Sequence, residues 1–159
     1  MMKKLLFIAV LVAGAFTANA QKDTKFGVKA GVDFASAKTT VLGTTVTSSE
    51  TGFFVGGFAT LGISEKFAIQ PEVLYVAISD ANSFQVPVLA RYTFAEKFSA
   101  LLGPSFNYYS DFEEDKFKVN IDLGATYDIT ENIDVNAKYS IGFGDIAVSG
   151  LFVGAGYRF

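Results

Sequence analysis

The 159-residue chain has no cysteine, no histidine and no tryptophan. Without cysteine there is neither a disulfide framework nor a thiolate metal site. Without histidine the usual neutral-pH general base and the commonest metal ligand are also missing. Overall charge is nearly balanced: 13 Lys and Arg stand against 16 Asp and Glu, for a net charge of −3. A mildly acidic chain with no basic block argues against a nucleic-acid partner. Beyond residue 20 no apolar run approaches the ~20 residues of a membrane helix. Proline occurs only three times, so little interrupts extended structure.

What is present begins with a leader. Lys3 and Lys4 precede the apolar stretch Leu5 to Phe16, and Ala18-Asn19-Ala20 supplies small residues for cleavage. This is the layout of a cleaved secretory signal over residues 1–20. A mature chain from Gln21 loses two lysines, and its net charge moves from −3 to −5. Its 139 residues suit one domain, 21–159.

After the leader the apolar residues alternate, which is the strand period. The alternation predicts eight strands near 25–34, 52–62, 67–77, 83–94, 98–109, 116–129, 133–144 and 150–159. Most exceed the usual strand length of about 5–6 residues and match the ~9–11 tilted residues that cross a bilayer.

One parity carries no charge in any of the eight. It includes Phe26, Val28, Val32 and Phe34, then Phe53, Val55, Ala59 and Leu61, then Phe67, Ile69, Pro71, Val73 and Tyr75, and it ends in Leu151, Val153, Ala155, Tyr157 and Phe159. The other parity holds Lys25, Lys29, Asp33, Glu72, Arg91, Lys118, Asp122, Asp128, Asp134, Lys138 and Arg158, with many glycines between them. A soluble lipocalin-like barrel would place the uncharged face inside, but its water-facing side would rarely be glycine. Aromatics also gather at two levels: Phe67, Phe94 and Phe98 at one rim, and Phe34, Phe53, Tyr75, Phe84, Phe117 and Phe143 at the other. Two aromatic girdles suit two membrane interfaces. The expected fold is therefore an all-β, eight-stranded antiparallel up-and-down transmembrane β-barrel, with its uncharged parity toward lipid. In the second strand, Phe54 and Phe58 would point inward and Gly57 outward.

Short connections alternate with longer ones. Ile63–Phe67, Phe94–Phe98 and Ile129–Ile133 each bracket a polar tip centred on Glu65, Glu96 or Glu131, and read as one hairpin module used three times. The connections 35–51, 78–82, 110–115 and 145–149 fall at the other end. With an even strand count both chain ends lie with the short turns, the periplasmic side of such barrels. Val41 to Val46 would extend the first hairpin beyond the bilayer.

The lumen parity supplies the candidate functional residues. Lys29, Glu72, Arg91, Lys118, Asp122 and Lys138 are expected to form a buried charged network, because an eight-stranded barrel has just enough interior for side chains to fill it. A gated ion path through the same residues is the functional alternative. Outside, Asp111, Glu113, Glu114 and Asp115 form an acidic loop tip that either is simply solvated or binds a cation or basic partner. Barrel enzymes of outer membranes generally use a histidine base, which this chain lacks. No catalytic, cofactor or metal residue is expected.

Several segments carry a resemblance. Phe67-Ala-Ile-Gln-Pro-Glu-Val-Leu-Tyr75 and Val86-Pro-Val-Leu-Ala-Arg-Tyr92 resemble a strand pair of the PorT-like outer-membrane β-barrel domain family, small eight-stranded Gram-negative barrels of OmpA/OmpX-like architecture. Gly103-Pro104 and Ala137–Phe143 are similar to its later strands, although Lys138 stands where the family has Arg before Tyr. The resemblance implies an outer-membrane location, with Glu72 and Arg91 inward. It implies outer-membrane lipid as the surroundings, the barrel-assembly machinery as a partner during biogenesis, and a terminal recognition signal at Tyr157 and Phe159. Some members of the family serve protein secretion. The functional expectation is a monomeric, non-catalytic barrel that acts through its extracellular loops; a narrow passive pore or a subunit of an envelope or secretion assembly are the alternatives.

Overall fold

The computed structural model describes residues 24–79, 82–113, 116–144 and 146–159. The expected leader falls outside these residues, as do Glu114 and Asp115. Eight strands follow one another: β1 (Thr24–Val41), β2 (Thr44–Gly62), β3 (Phe67–Ala77), β4 (Ser83–Thr93), β5 (Phe98–Tyr109), β6 (Phe117–Asp128), β7 (Ile133–Ile141) and β8 (Ile146–Arg158). Each pairs antiparallel with its chain neighbours, and β1 pairs with β8 to close the barrel.

The registers set the barrel's shape. A circuit of paired residues runs Thr24, Leu61, Ile69, Ala90, Leu102, Leu123, Tyr139, Leu151 and back to β1 at Phe34. It returns ten residues above its start, from position 24 to position 34. With a ~3.3 Å rise and ~4.8 Å between strands, that stagger tilts eight strands by about 40° and gives a radius of about 8 Å. The side chains on this circuit after Thr24 are all uncharged and almost all apolar.

The expected alternation is present, with informative departures. Phe34, Phe53, Tyr75, Phe84, Phe117 and Phe143 are exposed at one rim, and Phe67, Phe94 and Phe98 at the other. Ala59, Leu61 and Pro71, expected to face lipid, are buried. Ala59 and Pro71 border a wall dent of about 260 Å³ over Gly57, where a residue without a side chain leaves the outer surface indented. Phe54 and Phe58 do point inward, at 3% and 5% exposure.

Their rings account for three of the lumen glycines. Phe58 lies over its cross-strand partner Gly27, and Phe54 lies between its partner Gly31 and Gly154. Phe152 meets Phe54 edge to face at 5.4 Å. These inward rings fit because the adjoining wall is bare backbone at those glycines.

The three prolines stand on adjacent strands at mid-wall. Pairing of β2 with β3 lapses between Phe58↔Glu72 and Leu61↔Ile69, opposite Pro71. Pairing of β3 with β4 lapses between Pro71↔Val88 and Leu74↔Gln85, and pairing of β4 with β5 between Pro87↔Ser105 and Ala90↔Leu102. A proline has no N–H to give a ladder, yet the register resumes unshifted after each gap.

The strand limits shift at the outer end. β1 and β2 continue to the two-residue turn Leu42-Gly43 instead of stopping at 34 and 52, so most of the expected 35–51 loop is strand. Both turn residues have positive φ, 50° and 79°, the type I′ geometry that matches strand twist. β7 ends at Ile141 and β8 starts at Ile146, not 144 and 150. Of the three inner turns, Ser64 and Thr130 each accept the Phe67 or Ile133 amide through the side-chain hydroxyl, at 3.1 and 3.0 Å. The middle turn has Ala95 at that place and closes through Ala95 and Phe98 backbone instead. The three share one backbone bond, from the Ser64, Ala95 and Thr130 amides to the Phe67, Phe98 and Ile133 carbonyls, and differ in that hydroxyl cap.

Candidate functional site

The lumen is occupied by a connected set of charged and amide side chains drawn from six strands. Glu72 on β3, 1% exposed, is its centre. Its Oε1 accepts from Lys29 Nζ at 2.6 Å and from Gln70 Nε2 at 3.0 Å, and its Oε2 lies 3.4 Å from Lys138 Nζ. Lys138 also reaches Asp122 Oδ2 at 3.0 Å. Each lysine ammonium lies over an inward ring, that of Lys29 5.4 Å from Phe58 and that of Lys138 5.1 Å from Phe152, a placement that adds cation–π attraction.

Arg91 does not meet Glu72 directly. The register sets Arg91 opposite Ala68, four residues nearer the inner turn than Glu72, and Gln70 bridges the gap by accepting from Arg91 at 3.0 Å. Arg91 instead shares Asp128 Oδ1 with Arg158, at 3.4 and 2.7 Å. Asp128, 26% exposed at its side chain, lies where the lumen opens to the inner side. A cavity of about 540 Å³ there is lined by Lys25, Lys97, Glu131 and Arg158.

Lys118 is a correction. It shares the lumen parity but sits at the outer end of β6, and its Nζ donates to the Ile146 carbonyl at 2.9 Å, apart from the Glu72 cluster. The ten-residue stagger carries β6 positions far from equal-numbered places on β3. Gln70, Asp128 and Arg158, which join the network, had only their lumen parity as a signal; the stagger that unites them is not written in any one strand.

Farther out, a second polar layer contains Asp33, Gln85, Asn107, Asn120 and Ser140, all buried. Asn120 donates to Ser140 and to the Val148 carbonyl, both at 3.0 Å. A cavity of only about 10 Å³ remains among Asp33, Gln85, Tyr109 and Phe152, roughly the space of one water. Tyr109 is capped by Phe112, stacked at 4.7 Å.

The acidic loop tip is partly structural. Asp111 accepts the Asn82 amide at 2.9 Å and the Ser110 hydroxyl at 3.4 Å, tying two outer connections together. Glu113 is exposed, while Glu114 and Asp115 lie outside the described residues. Among the described residues no group of acidic side chains could hold a metal ion. At the inner end Tyr157 and Phe159 are both exposed on the lipid parity, 5.9 Å apart, and the Phe159 amide donates to Phe26.

A closed eight-stranded barrel with an apolar outer band, two aromatic girdles and a charged interior is the architecture of a transmembrane barrel. The chain belongs to the outer membrane protein β-barrel domain family, whose model matches residues 7–159; it is an outer-membrane barrel of Gram-negative type. Among curated sequences none matches it. Solved structures share the fold. Ail, the attachment invasion locus protein of Yersinia pestis, is similar at 17% identity and a TM-score of 0.57 over 85% of this chain and 98% of that one. Neisserial surface protein A is similar at 18% identity and 0.54, over 84% and 97%. A de novo designed transmembrane β-barrel is similar at 16% and 0.56, over 87% and 98%. At these identities the likeness is one of fold alone.

Proposed function

We propose that this barrel is a non-catalytic surface protein with a filled lumen, acting through what it presents outside the cell. One observation carries the reading: β1 and β2 rise nine residues above the last β2–β3 pair, Phe53↔Ala77, as a projecting hairpin. The interior supports it. The chain Asp122–Lys138–Glu72–Lys29, with Gln70, Arg91 and Asp128 below it, occupies the cross-section a passive pore would need. Export follows from cleavage of residues 1–20, and Tyr157 with Phe159 supplies the signal read during barrel assembly. Gln70-Pro71-Glu72 and Val86–Leu89 support a finer placement near the PorT-like members of the family. Co-purification of an envelope partner after mild extraction would move the reading toward an assembly subunit.

The test combines topology and conductance. On intact cells a membrane-impermeant amine reagent should modify Lys38, exposed on the hairpin, and spare Lys66 and Lys97 in the inner turns. Planar bilayers containing the purified protein should show no reproducible channel events. Steady channels, or labelling of Lys66 in place of Lys38, would refute the reading.

A further inference from the structure

Among the described residues, the projecting hairpin has one covered edge and one open edge. β8 pairs with β1 as far out as Thr39↔Ile146. On the other side β3 ends at Ala77, opposite Phe53. Among the described residues, Thr44 to Thr51 pair with β1 alone, from Val41↔Thr44 to Phe34↔Thr51. This edge reads Thr-Thr-Val-Thr-Ser-Ser-Glu-Thr. Five of its eight residues are β-branched, and it has no proline, lysine or arginine. Exposed edges are normally protected by such residues or by a bulge, and the β1–β2 register runs unshifted from Thr24↔Leu61 to Val41↔Thr44. The edge is thus open, regular and rich in strand-forming residues.

We propose that this edge pairs antiparallel with the same edge of a second copy held in an opposing membrane. The proposal rests on the surface-contact reading above and names its partner. Self-pairing centred on Thr47 sets Thr47 against Thr47, Val46 against Ser48, Thr45 against Ser49 and Thr44 against Glu50. Threonine–threonine and threonine–serine pairs are favourable across strands, and the only charged residue, Glu50, never meets itself. Two identical segments pair antiparallel only about a two-fold axis perpendicular to the strands. Copies in one membrane both run β2 inward and cannot satisfy that axis. Copies in facing membranes can.

The dimensions agree. Phe53 lies six residues from Thr47, about 20 Å along the strand and about 15 Å in height at a ~40° tilt. Two such halves hold the outer girdles about 30 Å apart. In that register the turn residue Leu42 comes level with position 52 of the second copy, beside its Phe53 girdle. Leu42 is 99% exposed with positive φ, and this contact brings it to an apolar interface.

The experiment uses full-length protein in two dye-labelled vesicle populations, with docking read by energy transfer. Native protein should dock the populations at least about tenfold above background when both carry it, and not when one is bare. Since Thr47 opposes itself, Thr47→Lys or Thr47→Glu in both populations should lower docking at least about tenfold by like-charge repulsion. Mixing Thr47→Lys vesicles with Thr47→Glu vesicles should restore it to within about threefold of native. Heat-dependent gel mobility confirms that each variant keeps its barrel. Docking onto bare vesicles would assign the hairpin to lipid and overturn the proposal. So would self-docking unaffected by Thr47→Lys, or no docking by native protein. In that last case Lys38 labelling on cells still judges the surface reading separately.

Discussion

Replacing Glu72 by Gln keeps the side chain's size and removes its charge. In the native lumen the Lys29 ammonium, 5% exposed, pairs with Glu72 at 2.6 Å, whereas Lys138 keeps Asp122 at 3.0 Å after the change. At an effective dielectric of about 20 a pair at that separation is worth about 6 kcal/mol, against about 1.6 kcal/mol in water. The cost of desolvating both charges offsets much of the larger figure, but the change leaves one buried charge without its counter-ion. Such breaks cost about 3–5 kcal/mol. Glu72→Gln should therefore destabilise the barrel by about 3–5 kcal/mol, and Lys29→Met, which leaves Glu72 beside Lys138, by less. The double variant removes both members of the pair and should fall short of the sum of the two by about 2 kcal/mol or more. The measurement is reversible denaturant unfolding in lipid or detergent, followed by circular dichroism and heat-dependent gel mobility because the chain has no tryptophan. A Glu72→Gln cost under about 1 kcal/mol, with additive single changes, would mean that water reaches the pair and would refute the filled lumen.

Two glycines on β1 and β2 should respond oppositely to alanine. A Cβ at Gly31 would collide with the Val153 carbonyl, the Gly154 backbone and the Phe54 ring, whereas one at Gly57 meets only the Gly27 carbonyl at 3.6 Å. Gly31→Ala should cost about 1–3 kcal/mol or prevent folding, and Gly57→Ala should stay within about 0.5 kcal/mol; equal effects in unfolding experiments would contradict the packing described. At the inner mouth, Asp128→Asn leaves Arg91 and Arg158 facing each other without their shared carboxylate. Because Asp128 is partly solvated, the loss should be about 1 kcal/mol and should shrink at high salt, as denaturant midpoints at two salt concentrations will show.

The strand count, the antiparallel order and the choice of lipid face could all be read from residue parity. A one-residue alternation in which eight segments keep charge off one side leaves a bilayer-spanning barrel as the economical arrangement. The outward Gly57 and inward Phe54 and Phe58 were legible for the same reason. Parity also placed Lys29, Glu72, Asp122 and Lys138 on one inner surface.

Parity says nothing about height, and height decided the rest. The ten-residue stagger is a property of the closed sheet, spread over eight registers. It separated Arg91 from Glu72, took Lys118 to the outer rim, and gathered Arg91, Asp128 and Arg158 at the inner mouth. It also set Phe54 and Phe58 over glycines of the neighbouring strand, which turned apparent gaps in the lumen pattern into the floor of its packing. The outer reach of β1 and β2 was hinted at by Val41 to Val46. Only the tertiary structure showed that β8 covers one side of that hairpin while β3 stops short of the other, because an edge is open or closed according to what a neighbouring strand does.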